Sequence, residues 1–246
     1  MVVLFARAPF PWAKACRKAC RAILYRTSDL ASRAPKHPGQ FVGVKGESAY
    51  PGKVIARKYD SEHHPLRVIS VGRLIPLKGV AYAIEAFAEF IRDGGSGSFD
   101  IYGDGPLKKR LILLASRLGV WDKVVFHGNV PNSEVLNALD SSDVLIHASF
   151  REGISWTILE AMAHGVPVVC QDRAGMKDLV SIDCGVRVLA RSSHELTSKM
   201  AKTLDEYFRH PDKVEANGLA GQVRVKSEYT WQGVAQAIVG AYKSVV

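Results

Sequence analysis

The sequence predicts an α/β fold: a doubly wound parallel sheet with a short N-terminal appendage and C-terminal helices. Three observations support this prediction. From Arg67 onward, short apolar runs alternate with segments whose apolar residues recur at helical spacing. Strands that alternate with helices need crossover connections, which are nearly always right-handed and cover both faces of a parallel sheet. The length of 246 residues, with 47% hydrophobic and 23% charged residues, fits one globular core and a smaller appendage.

The first two β-α units have the clearest signals. Arg67–Gly72 is typical of a buried strand, and the apolar residues from Val80 to Ile91 repeat at helical spacing. Ser98–Tyr102 predicts the second strand. The turn Gly103-Asp104-Gly105-Pro106 then begins a helix, because proline suits a first helical turn, and Gly119 is expected to end that helix.

The same alternation continues, and three helices then follow one another. Further strands are predicted at Lys123–His127, Val144–Ala148 and Val166–Cys170, and further helices at Ser133–Leu139, Trp156–Ala163, Ser193–Phe208, Pro211–Ser227 and Trp231–Ser244.

A boundary is predicted near residue 65, because Ala34–Gly52 is rich in proline, glycine and lysine and has weak periodicity. Residues 1–65 hold 12 lysine and arginine residues against 4 aspartate and glutamate residues, whereas the remainder holds 21 against 20. The formal net charge of +9 therefore lies in a basic N-terminal segment, residues 1–65, ahead of an α/β domain at residues 66–246.

A basic amphipathic helix is predicted from Trp12 to Arg26, with apolar residues toward one side and lysine and arginine largely toward the other. Two interpretations stay open: contact with an anionic membrane surface through residues 12–26, and a solvated helix packed on its own domain. Nucleic acid is disfavoured, because zinc-finger spacing, an RNA-binding aromatic motif and long runs of lysine and arginine are absent.

The N-terminal apolar stretch does not have the pattern of a secretion signal or a transmembrane helix, because Arg7, Pro9 and Pro11 interrupt it. The four cysteines lack paired metal-site spacings and fit a reducing compartment. We therefore expect a cytoplasmic protein, with a peripheral position on the inner face of the membrane as an option.

Two cations follow the first predicted strand. Arg73 and Lys78 lie in the segment Gly72–Gly79, at the strand's carboxyl end, where ligands bind in doubly wound sheets. The planar fork of arginine and the compact charge of lysine can together neutralise a diphosphate and hold it as it departs. Taken alone, the segment also fits an ordinary charged loop before a helix.

Two carboxylates eight residues apart form a second cluster. Glu152 lies in a predicted loop, and Glu160 lies among apolar residues of the following helix. A carboxylate there is costly unless it faces a cleft and a hydrogen-bonding ligand, for which a ribose diol would serve. The backbone N–H groups of the Gly153–Trp156 turn can add donors for phosphate or sugar oxygens.

These residues resemble the retaining nucleotide-sugar glycosyltransferases of the GT-B fold, the glycosyl transferases group 1 class. The resemblance covers residues 67–246, the donor half. It rests on G-R-L-x-x-x-K-G from Gly72, G-D-G-P from Gly103, and two glutamates, from Glu152 to Glu160, followed by A-M-A-x-G-x-P-V-V. It implies a Rossmann-like domain, one half of a GT-B fold, that binds a nucleotide-sugar donor.

Carried over position by position, the resemblance implies that Arg73 and Lys78 bind the donor diphosphate, that Glu160 takes the ribose hydroxyls and that Glu152 contacts the transferred sugar. The implied catalytic residues are Arg73, Lys78 and Glu152, and the implied donor-binding residues are Gly72, Arg73, Lys78, Gly153, Ile154, Ser155 and Glu160.

The family's Glu-Gly-Phe-Gly segment has Ile154 and Ser155 at its last two positions here, a departure that bears on the backbone's approach to the phosphate and on donor choice. The sequence has no Asp-x-Asp motif that would hold a divalent ion, and two fixed cations can do that job, so neither a metal nor another cofactor is predicted. A Gly-x-Gly-x-x-Gly motif is absent after the first strand, which argues against a nicotinamide dehydrogenase.

A complete enzyme of this family has an acceptor domain of comparable size ahead of the donor domain. Residues 1–65 are too few for one and are expected to be a partial acceptor region and linker. One hypothesis is a transferase that moves a sugar from a UDP- or GDP-sugar, with retention, to a glycan, lipid-linked or small-molecule acceptor. The alternative is a nucleotide-sugar-binding module that needs a partner acceptor domain. The final helix is expected to need another surface, such as the N-terminal segment.

Overall fold

The computed structural model describes residues 2–4, 20, 22–25, 27–33, 41–44, 49–59, 65–173 and 175–243. It holds a three-stranded sheet in the order β1-β2-β3 and a six-stranded sheet in the order β6-β5-β4-β7-β8-β9, with every strand pair parallel. The strands are β1 Val2–Leu4, β2 Ala22–Tyr25, β3 Phe41–Val44, β4 Leu66–Val71, β5 Gly97–Tyr102, β6 Val124–Gly128, β7 Val144–His147, β8 Val168–Gln171 and β9 Gly185–Val188.

Helices connect these strands and complete the C-terminus. They are α1 Ser28–Ser32, α2 Val80–Arg92, α3 Lys108–Arg117, α4 Asn132–Asp140, α5 Trp156–Ala163, α6 Met176–Leu179, α7 Ser193–Arg209, α8 Pro211–Glu228 and α9 Trp231–Lys243, with short 3-10 helices at Pro76–Lys78 and Trp121–Lys123. The predicted doubly wound parallel sheet is confirmed, with element ends shifted by one or two residues. Strand β9 and helix α6 are additions that the sequence pattern did not predict.

The helices cover both faces of the six-stranded sheet. One face packs against α2, α3 and α7 in a core that includes Phe87 and Phe99. The other face packs against α4, α5, α6 and α8 around Leu139 and Ile158. Strands β7 and β8 are buried along their whole length, as expected for strands covered on both sides. A ligand can therefore reach this sheet only at the loops at the ends of its strands.

The strand order reverses between β4 and β7. The chain runs from β4 outward to β5 and β6, returns to β7 on the other side of β4, and continues to β8 and β9. In doubly wound sheets the carboxyl ends of the strands at such a reversal open a crevice where ligands bind. This topology places the loop with the predicted cations, after β4, beside the loop with Glu152, after β7.

The N-terminal segment differs from its prediction. The predicted helix from Trp12 to Arg26 is wrong over Ala22–Tyr25, which forms β2, the central strand between β1 and β3. Ile23 and Leu24, two of the apolar residues of that predicted helix, are buried in this strand. Residues 5–19, 21 and 26 lie outside the described residues, and so does most of the predicted basic face.

The final helix packs as expected on another surface. Helix α9 contacts β2 of the N-terminal segment as well as α8. Val234 and Ala241 of α9 are buried, whereas Tyr242 stays 55% exposed. No helix within the described part of the chain is long and apolar enough to cross a membrane.

Candidate donor-binding site

Lys78 and Glu152 meet where the strand order reverses. Lys78 ends the 3-10 helix Pro76–Lys78 after β4, and its Nζ contacts Glu152 Oε1 in the loop after β7. The two loops are also joined by their backbones, because Phe150 N donates a hydrogen bond to Leu77 O at 2.9 Å. The side chains of Lys78 and Glu152 are only 24% and 16% exposed. The ion pair is therefore largely shielded from water.

Buried polar groups surround the Glu152 carboxylate. Ser149 Oγ lies 3.4 Å from Glu152 Oε1, and His147 Nε2 lies 3.5 Å from the same oxygen. His147 Nε2 is buried and makes no hydrogen bond with a described residue. Burial raises the pKa of Glu152, but the contacts with His147 and Lys78 and the charge of Lys78 outweigh it and lower the pKa to about 2. Glu152 is therefore a carboxylate at neutral pH.

The low pKa of Glu152 makes stability depend on pH. Its folded pKa of about 2 lies below the ordinary 4.5, so its contribution is complete above about pH 5 and is lost as the pH falls toward 2. We expect Glu152→Gln to flatten this part of the curve of unfolding free energy against pH, measured by urea titration. Glu134→Gln, at an exposed position, is the control. Curves for Glu152→Gln and wild type that run parallel would contradict the assignment.

Gly79 lets the loop after β4 approach the end of β7. It has φ 65°, in the left-handed region, and a Cβ there would lie 2.2 Å from Ala148 O. The same carbonyl accepts a hydrogen bond from the buried Gln171 Nε2 at 2.6 Å, so it cannot easily turn aside. A glycine at this position therefore allows Lys78 to reach Glu152.

Gly79→Ala is expected to destabilise the fold. The left-handed backbone alone costs alanine about 1–2 kcal/mol, and the clash with Ala148 O adds to it. Gly119→Ala is the matched control, because Gly119 has φ 73° and nothing within 4 Å of the added Cβ. Thermal unfolding should show a larger loss for Gly79→Ala, and equal losses would refute the close approach.

Arg73 lies at a cavity of about 440 Å³ at the carboxyl ends of β4, β5 and β6. Its side chain is exposed and makes no ion pair with any described residue. Lys78 borders the same region, because a Cβ on Gly72 would lie 3.8 Å from Lys78 Cδ. The cavity is lined by Val71, Gly72, Arg73, Tyr102, Gly103, Asp104, Gly128, Asn129, Val130, Asn132 and Val135. Arg73 lines the cavity and Lys78 lies close to Gly72, which lines the same cavity.

Glu160 is linked to this cavity through Asn132. Asn132 Nδ2 donates a hydrogen bond to Glu160 Oε1 at 3.2 Å, and Asn132 itself lines the cavity. Burial raises the pKa of Glu160, and the opposing effects of Asn132 and His164 do not cancel it. A carboxylate that burial disfavours in this way gains from a ligand that donates further hydrogen bonds.

Helix α5 begins beside the Glu152 loop. Ser155 is its N-cap residue, and the Ser155 side chain makes no capping hydrogen bond. Gly153 is exposed and Ile154 is partly buried, so the backbone of this turn is open to solvent on one side. The N–H groups at the start of α5 are therefore suited to donate hydrogen bonds to a ligand oxygen.

The N-terminal segment touches the same loop. Gly175 N donates to Glu152 O at 3.0 Å, and a Cβ on Gly175 would lie 1.6 Å from Gly153 O and 3.1 Å from Thr27 Cγ2. Next to Thr27, Ser28 N donates to Asp178 Oδ2 at 2.8 Å. Residues from before the α/β domain thus border the Glu152 side of the site.

The structure brings most of the predicted residues to one edge of the sheet: Lys78 and Glu152 are in contact, Arg73 lines the adjoining cavity, and Glu160 lies beside that cavity. Sequence reasoning did not assign Asn132, Gly175 or His147 to this site. The position of His147 at the end of the strand before Glu152 was a usable signal. Nothing in the sequence pairs Asn132 with Glu160.

The chain belongs to the glycosyl transferases group 1 family. The family model matches residues 53–219, which is more than half of the chain and includes Arg73, Lys78, Glu152 and Glu160. A putative colanic acid biosynthesis glycosyltransferase, WcaL, of Escherichia coli (strain K12) is 38% identical over 172 residues, covering 67% of this chain and 41% of that protein. The chain spans less than half the length of the curated relatives it matches.

Solved structures share the fold. HepE of Anabaena, crystallised with UDP and glucose, superposes with a TM-score of 0.70 at 18% identity, covering 95% of this chain and 66% of that one. The C-terminal domain of a glycosyl transferase group 1 family protein (LpcC) from Francisella tularensis has a TM-score of 0.60 at 22% identity, covering 68% of this chain and 89% of that one. The α/β domain therefore has the architecture of a GT-B glycosyltransferase domain.

Proposed function

We propose that this chain is the donor-binding part of a retaining glycosyltransferase that takes its sugar from a UDP- or GDP-sugar and passes it to a glycan, lipid-linked or small-molecule acceptor. The observation that carries the proposal is the meeting of Lys78 and Glu152 at the sheet reversal, with Arg73 at the adjoining cavity. A departing diphosphate needs concentrated positive charge, and Arg73 and Lys78 supply it.

In the proposed reaction the bond between the anomeric carbon and the β-phosphate oxygen breaks, and the acceptor hydroxyl oxygen bonds to that carbon from the same face. The hydroxyl proton passes to the departing phosphate oxygen. Arg73 and Lys78 stabilise the negative charge that builds on the diphosphate. Glu152, with a pKa of about 2, accepts hydrogen bonds from hydroxyls of the transferred sugar.

Glu160 is proposed to hold the ribose of the donor. Its carboxylate is partly buried and has one amide donor, Asn132, at 3.2 Å. Two neighbouring ribose hydroxyls can donate to the oxygens that remain. The UDP and glucose in the Anabaena structure support a nucleoside diphosphate sugar as the donor.

We also propose that the reaction proceeds without a divalent metal ion, because Arg73 and Lys78 already neutralise the diphosphate. Turnover is then expected to be unchanged by EDTA. Activity that EDTA abolishes and that Mn²⁺ or Mg²⁺ restores would contradict a metal-independent reaction. As a control, traces of metal are removed from the donor before the assay.

The transferase activity is tested by measuring release of UDP or GDP from a panel of nucleotide sugars, with and without membrane extracts as the source of acceptor. We expect release from at least one donor above the rate of spontaneous hydrolysis. Binding without release would instead favour a nucleotide-sugar-binding module that needs a partner acceptor domain. Absence of both binding and release would refute both functions.

A further inference from the structure

Helix α3 carries positive charge that its own stability does not explain. Lys108, Lys109 and Arg110 occupy its first turn, which has no acidic residue. Cations at this end oppose the helix dipole and therefore destabilise the helix. From Pro106 to Trp121 the sequence holds four lysine and arginine residues and no aspartate or glutamate. Cations placed where the helix dipole disfavours them are expected on a surface that has a function.

Most of these cations have no acidic partner within the described part of the chain. Lys108 Nζ lies 3.5 Å from Asp104 Oδ2. Lys109, Arg110 and Arg117 are exposed and form no ion pair with any described residue. Their charge is therefore free to attract an anionic partner.

Apolar side chains lie among these cations. Helix α3 buries Leu111 and Ala115 against the core and leaves Leu113 64% exposed on the opposite side. Residues three and four apart share a helix face, so Leu113 lies between Lys109, Arg110 and Arg117. A groove of about 360 Å³ beside it is lined by Ala81, Leu107, Arg110, Leu111, Leu113, Leu114 and Arg117.

A second exposed apolar side chain, that of Trp121, lies beyond the end of the helix. It lies in the 3-10 helix Trp121–Lys123, which contacts α3, and its side chain is 64% exposed. We call Lys109, Arg110, Leu113, Arg117 and Trp121 the α3 outer face. Exposed leucine and tryptophan surrounded by lysine and arginine are the composition of helices that lie in a membrane interface.

We propose that the α3 outer face binds the surface of a membrane that contains anionic phospholipid. The unpaired cations meet the lipid phosphates, while Leu113 and Trp121 enter the boundary between head groups and acyl chains. This face fits a membrane better than an acidic protein, because its cations lie on both sides of an exposed aliphatic side chain, Leu113. Since α3 follows the Gly103–Gly105 turn, which borders the cavity with Arg73, docking holds the site close to the lipid.

The test is co-sedimentation of the full chain with vesicles of phosphatidylcholine alone and of phosphatidylcholine mixed with phosphatidylglycerol. We expect binding to the mixed vesicles only, with an affinity that falls as salt is raised. The triple variant Lys109→Gln, Arg110→Gln, Arg117→Gln should bind them at least about tenfold more weakly, since each cation near an anionic surface contributes severalfold. Leu113→Ser should weaken binding by roughly tenfold.

Matched variants distinguish binding through the α3 outer face from the effects of total charge and of exposed apolar residues elsewhere. Leu189 is 65% exposed, close to the value for Leu113, so Leu189→Ser should leave binding unchanged. Lys202→Gln, Lys226→Gln and Lys243→Gln together remove the same charge from exposed positions elsewhere. The proposal is overturned if wild type does not bind the mixed vesicles, which leaves an acidic protein as the alternative occupant. It is also overturned if the α3 triple variant binds like the wild type, which would assign binding to another segment, such as the basic N-terminus.

Discussion

Lys78→Met is expected to weaken binding of a nucleoside diphosphate by roughly 10- to 100-fold while leaving the corresponding nucleoside almost unaffected. A hydrogen bond to a charged group contributes about 1.5–3 kcal/mol, and the substitution removes the charge while it keeps the aliphatic stem over Gly72. The Glu152 carboxylate then also stays beside the phosphates without its cation. Isothermal titration with the nucleoside and its diphosphate measures the difference.

Two control variants make this result specific. Lys202→Met removes one positive charge from an exposed position on α7 and should bind both ligands like the wild type. Lys78→Met leaves the largely buried Glu152 carboxylate without its cation, so part of the effect of the substitution comes from lost stability. The double variant with Glu152→Gln removes that unpaired charge. It should regain stability without regaining diphosphate affinity, and an affinity restored to the wild-type level would refute direct phosphate binding by Lys78.

Glu160→Ala is the second change with a large expected effect, and it should weaken nucleoside and nucleoside diphosphate by the same factor. Two ribose hydroxyls lose their charged acceptor, at a cost of about 1.5–3 kcal/mol for each strong contact. Because the phosphates are not involved, the ratio of the two affinities should stay at its wild-type value. This equal loss distinguishes Glu160 from Lys78 in the same titrations.

Glu215→Ala serves as the control for Glu160→Ala, since it removes a carboxylate from an exposed position on α8. Asn132→Ala should produce a smaller loss in the same direction, because it removes the amide that holds Glu160 Oε1. A deoxy nucleoside that lacks the 2′-hydroxyl should lose affinity for the wild type but little for Glu160→Ala. If the deoxy compound is penalised equally in both proteins, Glu160 does not bind the ribose.

The six-stranded sheet could be predicted mainly from its strands, because strands covered on both faces are nearly continuous apolar runs. Strand β9 has only four residues, and its exposed Arg187 interrupts the apolar run. In the N-terminal segment, Ala22–Tyr25 is too short for periodicity to separate helix from strand. This segment is a strand because it pairs with β1 and β3, and that pairing depends on residues distant in the sequence.

The positions of the candidate-site residues could be predicted where sequence motifs contain them. The contacts between those residues could not be predicted in the same way, because the fold brings them together. The segment with Arg73 and Lys78 directly follows a strand, so its position at the sheet edge follows from the strand alone. The contact between Lys78 and Glu152 joins residues 74 apart, and the hydrogen bond between Asn132 and Glu160 joins residues 28 apart. Both contacts form only because the chain crosses two strands on its way from β6 to β7. No local sequence pattern predicts this crossing.

The central claim is that the edge of the sheet around Gly72 binds a nucleoside diphosphate. The most direct measurement is isothermal titration of the wild-type chain with uridine, UMP and UDP, and with guanosine, GMP and GDP. We predict that one of the two series binds, with affinity rising at each added phosphate and the diphosphate at least about tenfold tighter than the nucleoside. No binding in either series, or equal affinity along the series that binds, would contradict the account.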